Sequence, residues 1–338
     1  MLKKKSRYIV AIVGAAGTVG RELVEILEER DFPAADVVLL DSAESEGERI
    51  EVRGRNVAVR RLGKDAFPDA DIAFFFAGAA NSREHVPAAA AAGSVVIDGS
   101  GAFRMDPTTP LVVAEVNLQS IGSHAGIIAT PDSSVIALVM ALKPLHDAAR
   151  IKRVVITTFQ SVSGTGKEAI DELAGQTVAL LNFRDFVNKA YPHQIAFNCI
   201  PHVDAFMESG GTTAEVNMRR EARKVLADDT LQLTATAVRV PVFRSDAASL
   251  NIEMTDPLPP NEARFLLSRA SGVVVYDDPV RDLYPLQIDV SGKDDVYVGR
   301  IRTDDSVANG LNLWLAWDNI RKGAALNAVQ IAEYLVKQ

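Results

Sequence analysis

An apolar run near the start of the chain passes through a glycine-rich turn directly into an amphipathic helical pattern. Tyr8 to Val13 is typical of a buried strand, and Gly14-Ala15-Ala16-Gly17-Thr18-Val19-Gly20 follows it. From Thr18 to Arg30, leucine and isoleucine recur at helical spacing. Missing side chains in such a turn let backbone N–H groups and the helix dipole approach a pyrophosphate, so Gly14, Gly17, Thr18, Val19 and Gly20 are candidate cofactor contacts. A tight turn needed only for packing would carry the same glycines.

The first 130 residues continue this alternation of strands and helices. Further strands are predicted at Val37 to Leu40, Ile72 to Phe76 and Val95 to Asp98, with an alanine-rich helix around residues 88–92 between the last two. Alternating strands and helices predict a parallel sheet that helices cover on both faces. The expected fold class is therefore α/β, with an N-terminal Rossmann-type dinucleotide-binding domain.

After Pro131 the pattern changes to longer strand-like runs separated by helices. Predicted strands cover 153–162, 231–242 and 250–254, and predicted helices cover 167–181 and 319–338. A chain of 338 residues is long enough for two domains of about 150 residues each. We expect residues 1–130 plus 319–338 to form the dinucleotide-binding domain, and residues 131–318 to form a second, α+β substrate domain.

Charge and cysteine content exclude several functions. The formal net charge of −8 opposes nucleic-acid binding, since such proteins usually carry a basic face. Cys199 is the only cysteine, so an intrachain disulfide is impossible and no cysteine pair can bind metal, which favours a reducing, cytoplasmic location. No apolar stretch reaches the roughly 18 residues of a membrane span. We expect neither a metal nor a membrane partner.

Acidic residues cluster after the second predicted strand, in Asp41-Ser42-Ala43-Glu44-Ser45-Glu46-Gly47. A cofactor with a 2′-phosphate needs a cation at this point, whereas NAD prefers a carboxylate that binds the ribose hydroxyls. Asp41 and Glu44 therefore favour NAD over NADP if a dinucleotide binds. The alternative is that these residues are ordinary solvated loop charges.

Ser133 lies where the chain enters a helix, in Thr130-Pro131-Asp132-Ser133-Ser134, ahead of an apolar helical face. A cysteine at a helix N-terminus is favoured as thiolate and is suited to attack on an aldehyde or acyl phosphate. A serine hydroxyl gains far less, because a neighbouring base must deprotonate it. A plain N-cap made by one of these polar residues is the alternative explanation.

Five stretches of the chain together form a specific pattern: Gly14 to Gly20, Val96 to Asp106, Phe159 to Gly164, Gln194 to Asn198 and Asp318 to Ala328. Through these stretches the chain resembles the aspartate-semialdehyde dehydrogenase family over its whole length. The resemblance implies a homodimer with a nucleotide domain and a second catalytic and dimerisation domain like that of glyceraldehyde-3-phosphate dehydrogenase. It also implies NADP-dependent interconversion of aspartyl phosphate and aspartate semialdehyde, in lysine, threonine and methionine biosynthesis.

The resemblance assigns roles to several positions that match the family pattern. Arg104 matches a phosphate-binding arginine, Gln160 a substrate glutamine and Arg239 an arginine for the substrate carboxylate. Two spaced arginines suit a dianionic ligand, although each residue could also be an ordinary structural or solvated polar group. Ser163 and Gly164 match a cofactor-contacting pair, and Asn319 matches a further cofactor contact.

The departures from the family pattern fall on the chemistry. The asparagine–cysteine pair becomes Asp132-Ser133, and the general acid/base histidine of a Gly-His-Ser stretch becomes Asp246. A substrate glutamate and a phosphate-binding lysine become Ala214 and Asn217. The arginine of the family's Arg-Ser contact to the 2′-phosphate falls on Glu44.

These replacements predict a catalytically degenerate member, similar to the Usg-type paralogues that lack the cysteine. It could still bind NAD or a small anionic metabolite. The alternative is an active dehydrogenase, or a related aldehyde or acyl-phosphate oxidoreductase, that uses Ser133 with Asp246, although a carboxylate is poorly matched to so weak an acid. Cys199 is expected to pack in the core. A serine hydrolase is disfavoured because there is no Gly-x-Ser-x-Gly elbow.

Overall fold

The computed structural model describes residues 2–63, 67 and 69–338. The chain divides into two compact units, one made of Met1–Asp132 with Ala324–Gln338 and the other of Ser133–Gly323. We call them the nucleotide unit and the mixed-sheet unit. Ser133 is therefore the first residue of the mixed-sheet unit, and the C-terminal segment belongs with the N-terminal part of the chain.

Short strands and helices alternate through the first 132 residues. The strands are β1 Tyr8–Val13, β2 Ala34–Asp41, β3 Arg49–Val52, β4 Arg55–Ala58, β5 Arg60–Arg61, β6 Ile72–Phe75, β7 Val95–Asp98 and β8 Ile127–Ala129, and the helices are α1 Thr18–Glu29, α2 Ala79–Ala91 and α3 Ala114–Asn117.

Longer elements follow. The helices are α4 Ser133–Ala149, α5 Lys167–Leu181, α6 Thr213–Leu226, α7 Pro260–Ser268 and the C-terminal α8 Leu326–Lys337, and the strands are β9 Ile151–Gln160, β10 Gln232–Arg239, β11 Asp246–Met254, β12 Val273–Val275, β13 Val296–Asp304 and β14 Gly310–Trp317.

The nucleotide unit is built on a parallel sheet with the order β5-β2-β1-β6-β7-β8. Alternate residues of β1 enter two different cores: Val10 and Ile12 pack with α1 and α8, while Ala11 and Val13 pack with α2. A strand buried on both faces has no polar positions, which explains the continuous apolar run in the sequence. The sheet thereby positions the turn after β1 at its carboxyl edge.

The mixed-sheet unit contains parallel and antiparallel pairs in the order β10-β9-β11-β14-β13-β12. Helices α4, α6 and α7 pack against this sheet. Along β9 and β10, buried residues alternate with exposed or half-buried ones such as Thr157 and Thr236. The alternation means that helices cover one face of the sheet, while much of the other face stays accessible in the single chain.

The predicted fold class is confirmed, although several element bounds differ, and two of these differences lie next to the candidate site residues. The strand expected over 153–162 ends at Gln160, because Val162 begins a short 3-10 turn. The helix expected over 319–338 begins only at Leu326. Before it, Asp318 Oδ1 accepts the backbone N–H groups of Ile320 and Arg321 at 2.9 Å, and residues 321–325 form a π turn. Within the described ranges, none of the helices has the length and apolar character needed to cross a membrane.

Candidate functional site

The glycine-rich turn of the nucleotide unit has the geometry that a pyrophosphate site needs. Gly14 has a φ of +88°, and a Cβ there would lie 2.7 Å from the carbonyl oxygen of Phe76. A Cβ on Gly20 would lie 2.1 Å from the carbonyl oxygen of Gly14, so only glycine allows this approach. Gly17 is the N-cap of α1, and none of the side chains that the structure describes caps the helix. The first N–H groups of α1, from Thr18 onward, are thus left for a ligand.

Asp41 connects the end of β2 to this turn. Its Oδ2 accepts the N–H of Ala16 at 2.8 Å, and its Oδ1 accepts the N–H of Ser42 at 2.7 Å. The predicted carboxylate therefore lies beside the candidate phosphate loop. Glu44 follows in a short 3-10 turn at residues 43–45, where it is exposed.

Arg104 lies in the loop after β7 and is held by backbone carbonyls. Its Nε donates to the carbonyl of Thr130 at 3.1 Å and its Nη2 to the carbonyl of Gly99 at 3.0 Å. Its Nη1 lies 3.8 Å from Asp132 Oδ2. The carboxylate at position 132 thus supplies a negative charge beside the arginine that the resemblance assigns to phosphate.

Asp98, at the end of β7, is fully buried in the nucleotide unit. Its Oδ1 accepts the hydroxyl hydrogen bond of Ser100 at 2.8 Å. Burial disfavours the charged form and raises the pKa of Asp98, although the hydrogen bonds act in the opposite direction.

Ser133 begins α4, as the sequence predicts, and contacts two residues distant in sequence. The indole Nε1 of Trp317 donates to Ser133 Oγ at 2.8 Å. A Cβ placed on Gly323 would lie 2.1 Å from the same oxygen. The hydroxyl is therefore enclosed by a donor and by the backbone of a glycine.

Asp246, at the position that the resemblance assigns to a histidine, is buried and directed to Ser161. Its Oδ1 accepts the backbone N–H of Ser161 at 2.8 Å and its hydroxyl at 3.0 Å. Asn319 belongs to the same buried network: its Nδ2 donates to Ser163 Oγ at 3.0 Å and its Oδ1 accepts the N–H of Ser245 at 3.0 Å. The structure thus brings Asp246, Ser163 and Asn319 together.

Arg239 ends β10 opposite Gln160 of β9 and is only 6% exposed. Its Nη1 donates to the carbonyl of Ser161 at 2.5 Å, and a Cβ on Gly164 would lie 3.1 Å from that nitrogen. Its Nε is buried without a hydrogen-bond partner among the described residues. A buried cation left incompletely paired is costly, so this position suits an anionic ligand.

Two further residues border this arginine. Arg239 lies 6.0 Å from the ring centre of Tyr191, within cation–π range, and burial raises the pKa of that tyrosine. Gln160 is buried, and its Nε2 donates to Ser134 Oγ at 3.3 Å and to Thr158 Oγ1 at 3.2 Å. The sequence did not single out Tyr191, and no local pattern distinguishes it from other tyrosines.

Helix α6 carries the two positions to which the resemblance assigns a substrate glutamate and a phosphate-binding lysine. Its neighbouring Glu215 is structural: it forms a capping box with Thr212, and its Oε1 accepts the N–H of Ala237 in β10 at 3.0 Å. Ala214 and Asn217 are both half-buried. Neither supplies a charge, so α6 offers no ionic contact to a ligand at these positions.

The prediction that Cys199 packs in the core is wrong, because Cys199 is exposed. It lies two residues after Phe197, which has a φ of +59° and is itself exposed. Apolar character alone suggested burial, but the loop turns this stretch outward.

Two family models match this arrangement. The NAD-binding domain model of the semialdehyde dehydrogenases matches residues 9–124, and their dimerisation domain model matches residues 142–322. A parallel nucleotide unit joined at the start of α4 to a mixed-sheet unit is thus the architecture of a semialdehyde dehydrogenase.

Individual relatives identify the family within the semialdehyde dehydrogenases to which the chain belongs. The aspartate-semialdehyde dehydrogenase of Aquifex aeolicus is 48% identical over 335 residues, with 98% of each chain covered, and that of Legionella pneumophila is 46% identical over 337 residues, with 98% and 97% covered. The chain in a crystal structure of aspartate semialdehyde dehydrogenase II complexed with ASA, from Vibrio cholerae, is 43% identical, with 99% of each chain covered and a TM-score of 0.96. The chain belongs to the aspartate-semialdehyde dehydrogenase family.

Proposed function

We propose that this chain is a family member that has kept the scaffold and part of the ligand site but has lost the dehydrogenase chemistry, as in Usg-type paralogues. The observation that carries the proposal is the joint replacement of the nucleophile and base positions by Ser133 and Asp246. Each replacement also takes part in internal hydrogen bonds, with Trp317 and Ser161 respectively.

The serine is too weak an acid to replace a thiol. An alcohol ionises about as weakly as water, so almost none of it is alkoxide at pH 7. A helix N-terminus and one donated hydrogen bond favour the alkoxide only modestly, which does not offset this weakness. The alkoxide therefore stays a trace species unless a base takes the proton.

Asp246, at the position of the general base, does not compensate for the low acidity of the serine hydroxyl. A carboxylate is about 12 pKa units less basic than an alkoxide. Asp246 also directs Oδ1 to the N–H and hydroxyl of Ser161. Covalent catalysis and proton transfer, which each contribute orders of magnitude to rate, are therefore both weakened.

Ligand binding is the function that the remaining geometry supports. Arg239 has a buried guanidinium, and within the described part of the chain its Nε has no hydrogen-bond partner. Arg104 is also retained, but Asp132 reduces its attraction for phosphate, and Asn217 supplies no second cation. We therefore propose that a small carboxylate binds at Arg239 more readily than a phosphate binds at Arg104.

The glycine-rich turn fits the diphosphate of a dinucleotide, because Gly14 and Gly20 leave the space that side chains would fill. Such a cofactor supplies hydride chemistry when it is bound. Asp41 and Glu44 favour NAD, since carboxylates repel a 2′-phosphate and accept ribose hydroxyls. Calorimetric titration with NAD and NADP tests this preference, and tighter binding of NADP would contradict it.

We also propose a cytoplasmic homodimer. The match to a dimerisation domain and the accessible sheet face of the mixed-sheet unit support the dimer. Light scattering on the purified chain measures its mass directly, and a monomer at micromolar concentration would contradict the proposal.

The decisive experiment measures nicotinamide reduction with aspartate semialdehyde and phosphate, using both NAD and NADP. We expect no turnover by the unmodified chain, and partial activity only after Ser133→Cys is combined with Asp246→His and Asn217→Lys. Turnover by the unmodified chain that Ser133→Ala abolishes would refute the proposal and favour the alternative, an active serine-dependent oxidoreductase.

A further inference from the structure

The indole of Trp317 makes a specific contact with the side chain at position 133. Trp317 lies at the end of β14 and is fully buried. Its Nε1 donates to Ser133 Oγ at 2.8 Å. A buried indole N–H needs an acceptor, so Ser133 satisfies Trp317 while Trp317 fixes the serine hydroxyl.

Gly323 encloses the same oxygen from another direction. A Cβ on Gly323 would meet Ser133 Oγ at 2.1 Å and Ser133 Cβ at 2.8 Å. The start of α4, the end of β14 and the backbone of Gly323 therefore converge on one side-chain atom. The serine rotamer is restrained by packing as well as by its hydrogen bond.

Trp317 is also placed beside the base position. In the antiparallel pair of β11 and β14, Asp246 lies directly opposite Trp317. Side chains that face each other across such a pair lie on the same face of the sheet, with Cβ atoms about 5 Å apart. One tryptophan therefore neighbours both positions at which the family pattern places its reacting groups.

We propose that Trp317 is a positioning residue for the side chain at position 133, and that its indole N–H sets the orientation and acidity of whatever group stands there. This inference deepens the proposed function and rests on it, because it treats the serine as held in place rather than as a nucleophile. A donor aimed at this position would stabilise a thiolate introduced there, since hydrogen bonds to charged groups are stronger than those to neutral ones. Restored thiol chemistry would then depend on Trp317.

The test uses a thiol at position 133 whose acidity can be measured without turnover. Ser133→Cys is made together with Cys199→Ala, because Cys199 is exposed and would react first. The rate of alkylation by iodoacetamide is recorded against pH, and its midpoint gives the pKa of the introduced thiol. Trp317→Phe keeps an aromatic ring but removes the N–H.

Trp314→Phe is the matched control, because Trp314 lies on the same strand and its Nε1 donates to the carbonyl of Pro285 at 2.9 Å. We expect Trp317→Phe to raise the pH midpoint of alkylation by about one unit, which is a tenfold loss of thiolate below the midpoint. Trp314→Phe should leave the midpoint unchanged. An unchanged midpoint in Trp317→Phe, or equal shifts in both variants, would overturn the proposal.

A second measurement covers the case in which Trp317→Phe does not fold. In the Trp314→Phe variant Trp317 is the only tryptophan, so its emission reports the environment of that indole. Ser133→Ala in this background removes the acceptor and should shift the emission maximum, whereas an unaltered spectrum would overturn the contact. Turnover by the unmodified chain would refute the proposed function without affecting either measurement, so the two failures can be told apart.

Discussion

Ser245 occupies a backbone conformation that favours glycine, and replacing it should stabilise the protein. It is fully buried and has a φ of +75°. Its N–H donates to Asn319 Oδ1 at 3.0 Å and its carbonyl accepts from Gln287 Nε2 at 2.7 Å, so neighbouring residues hold the backbone in this state. Its Oγ has no hydrogen-bond partner among the described residues. The residue thus combines backbone strain with an unsatisfied hydroxyl.

The expected gain for Ser245→Gly follows from four contributions. A left-handed conformation costs a side-chain-bearing residue about 1.5 kcal/mol, and a buried unpaired hydroxyl costs about 1.5 kcal/mol. Glycine increases the entropy of the unfolded chain, at about 0.7 kcal/mol, and loses the packing of one methylene, at about 0.8 kcal/mol. The balance is a stabilisation of about 1.5 kcal/mol.

Urea denaturation followed by tryptophan fluorescence measures this change, because both tryptophans, Trp314 and Trp317, lie in the mixed-sheet unit with Ser245. Ser245→Thr is the matched opposite: it keeps the hydroxyl and adds a β-branch, which a positive φ disfavours strongly, so the free energy of unfolding should fall. Unchanged or reduced stability of Ser245→Gly would refute the reasoning.

Three further changes test separate parts of the structure. Asp132→Asn removes the carboxylate that lies 3.8 Å from Arg104 Nη1. Because Asp132 is half exposed, we expect inorganic phosphate to bind only about fivefold more tightly to this variant, as measured by calorimetry. An unchanged affinity would show that Asp132 does not weaken phosphate binding. Burial raises the pKa of Asp98, so its carboxyl group makes the folded state less stable as the pH rises above the ordinary value of 3.8. Asp98→Asn should therefore stabilise the chain more at pH 7 than at pH 3, as measured by urea titration. An equal effect at both pH values would contradict this. Ala227, at the C-cap of α6, has a φ of +53°, which strains a residue with a side chain. Ala227→Gly should therefore add about 1 kcal/mol to the free energy of unfolding. A lower free energy of unfolding would show that the helix end is not strained.

The sequence predicted those features that depend on neighbouring residues. The strand, turn and helix from Tyr8 to Glu29 follow from an apolar run, from glycines at Gly14 and Gly20 and from helical spacing, which are all local. Placing Ser133 at the start of α4 followed in the same way from Pro131 and the apolar face after it. The fold class was predictable because each element already showed its own period.

Contacts between distant residues were not predictable from such patterns. Trp317 and Ser133 are 184 positions apart, and Ser161 and Asp246 are 85 apart. Strand pairing and helix packing bring them together, and nothing in the sequence near Ser133 identifies its partner. Ser245 shows the same limit, because a positive φ at a serine is imposed by Asn319 and Gln287 rather than by a local turn signal.

Three of the residues that depart from the family pattern in the resemblance have a partner within the protein. Ser133 accepts from Trp317, Asp246 accepts from Ser161, and Asp132 lies beside Arg104. Active sites usually keep polar groups unsatisfied for the ligand, at a cost in stability. Under the proposed loss of turnover, such groups are free to pair within the protein, and this pairing opposes a return to activity by single substitutions. Arg239 differs from these three residues, because its buried Nε has no hydrogen-bond partner among the described residues, so ligand binding should be sought there.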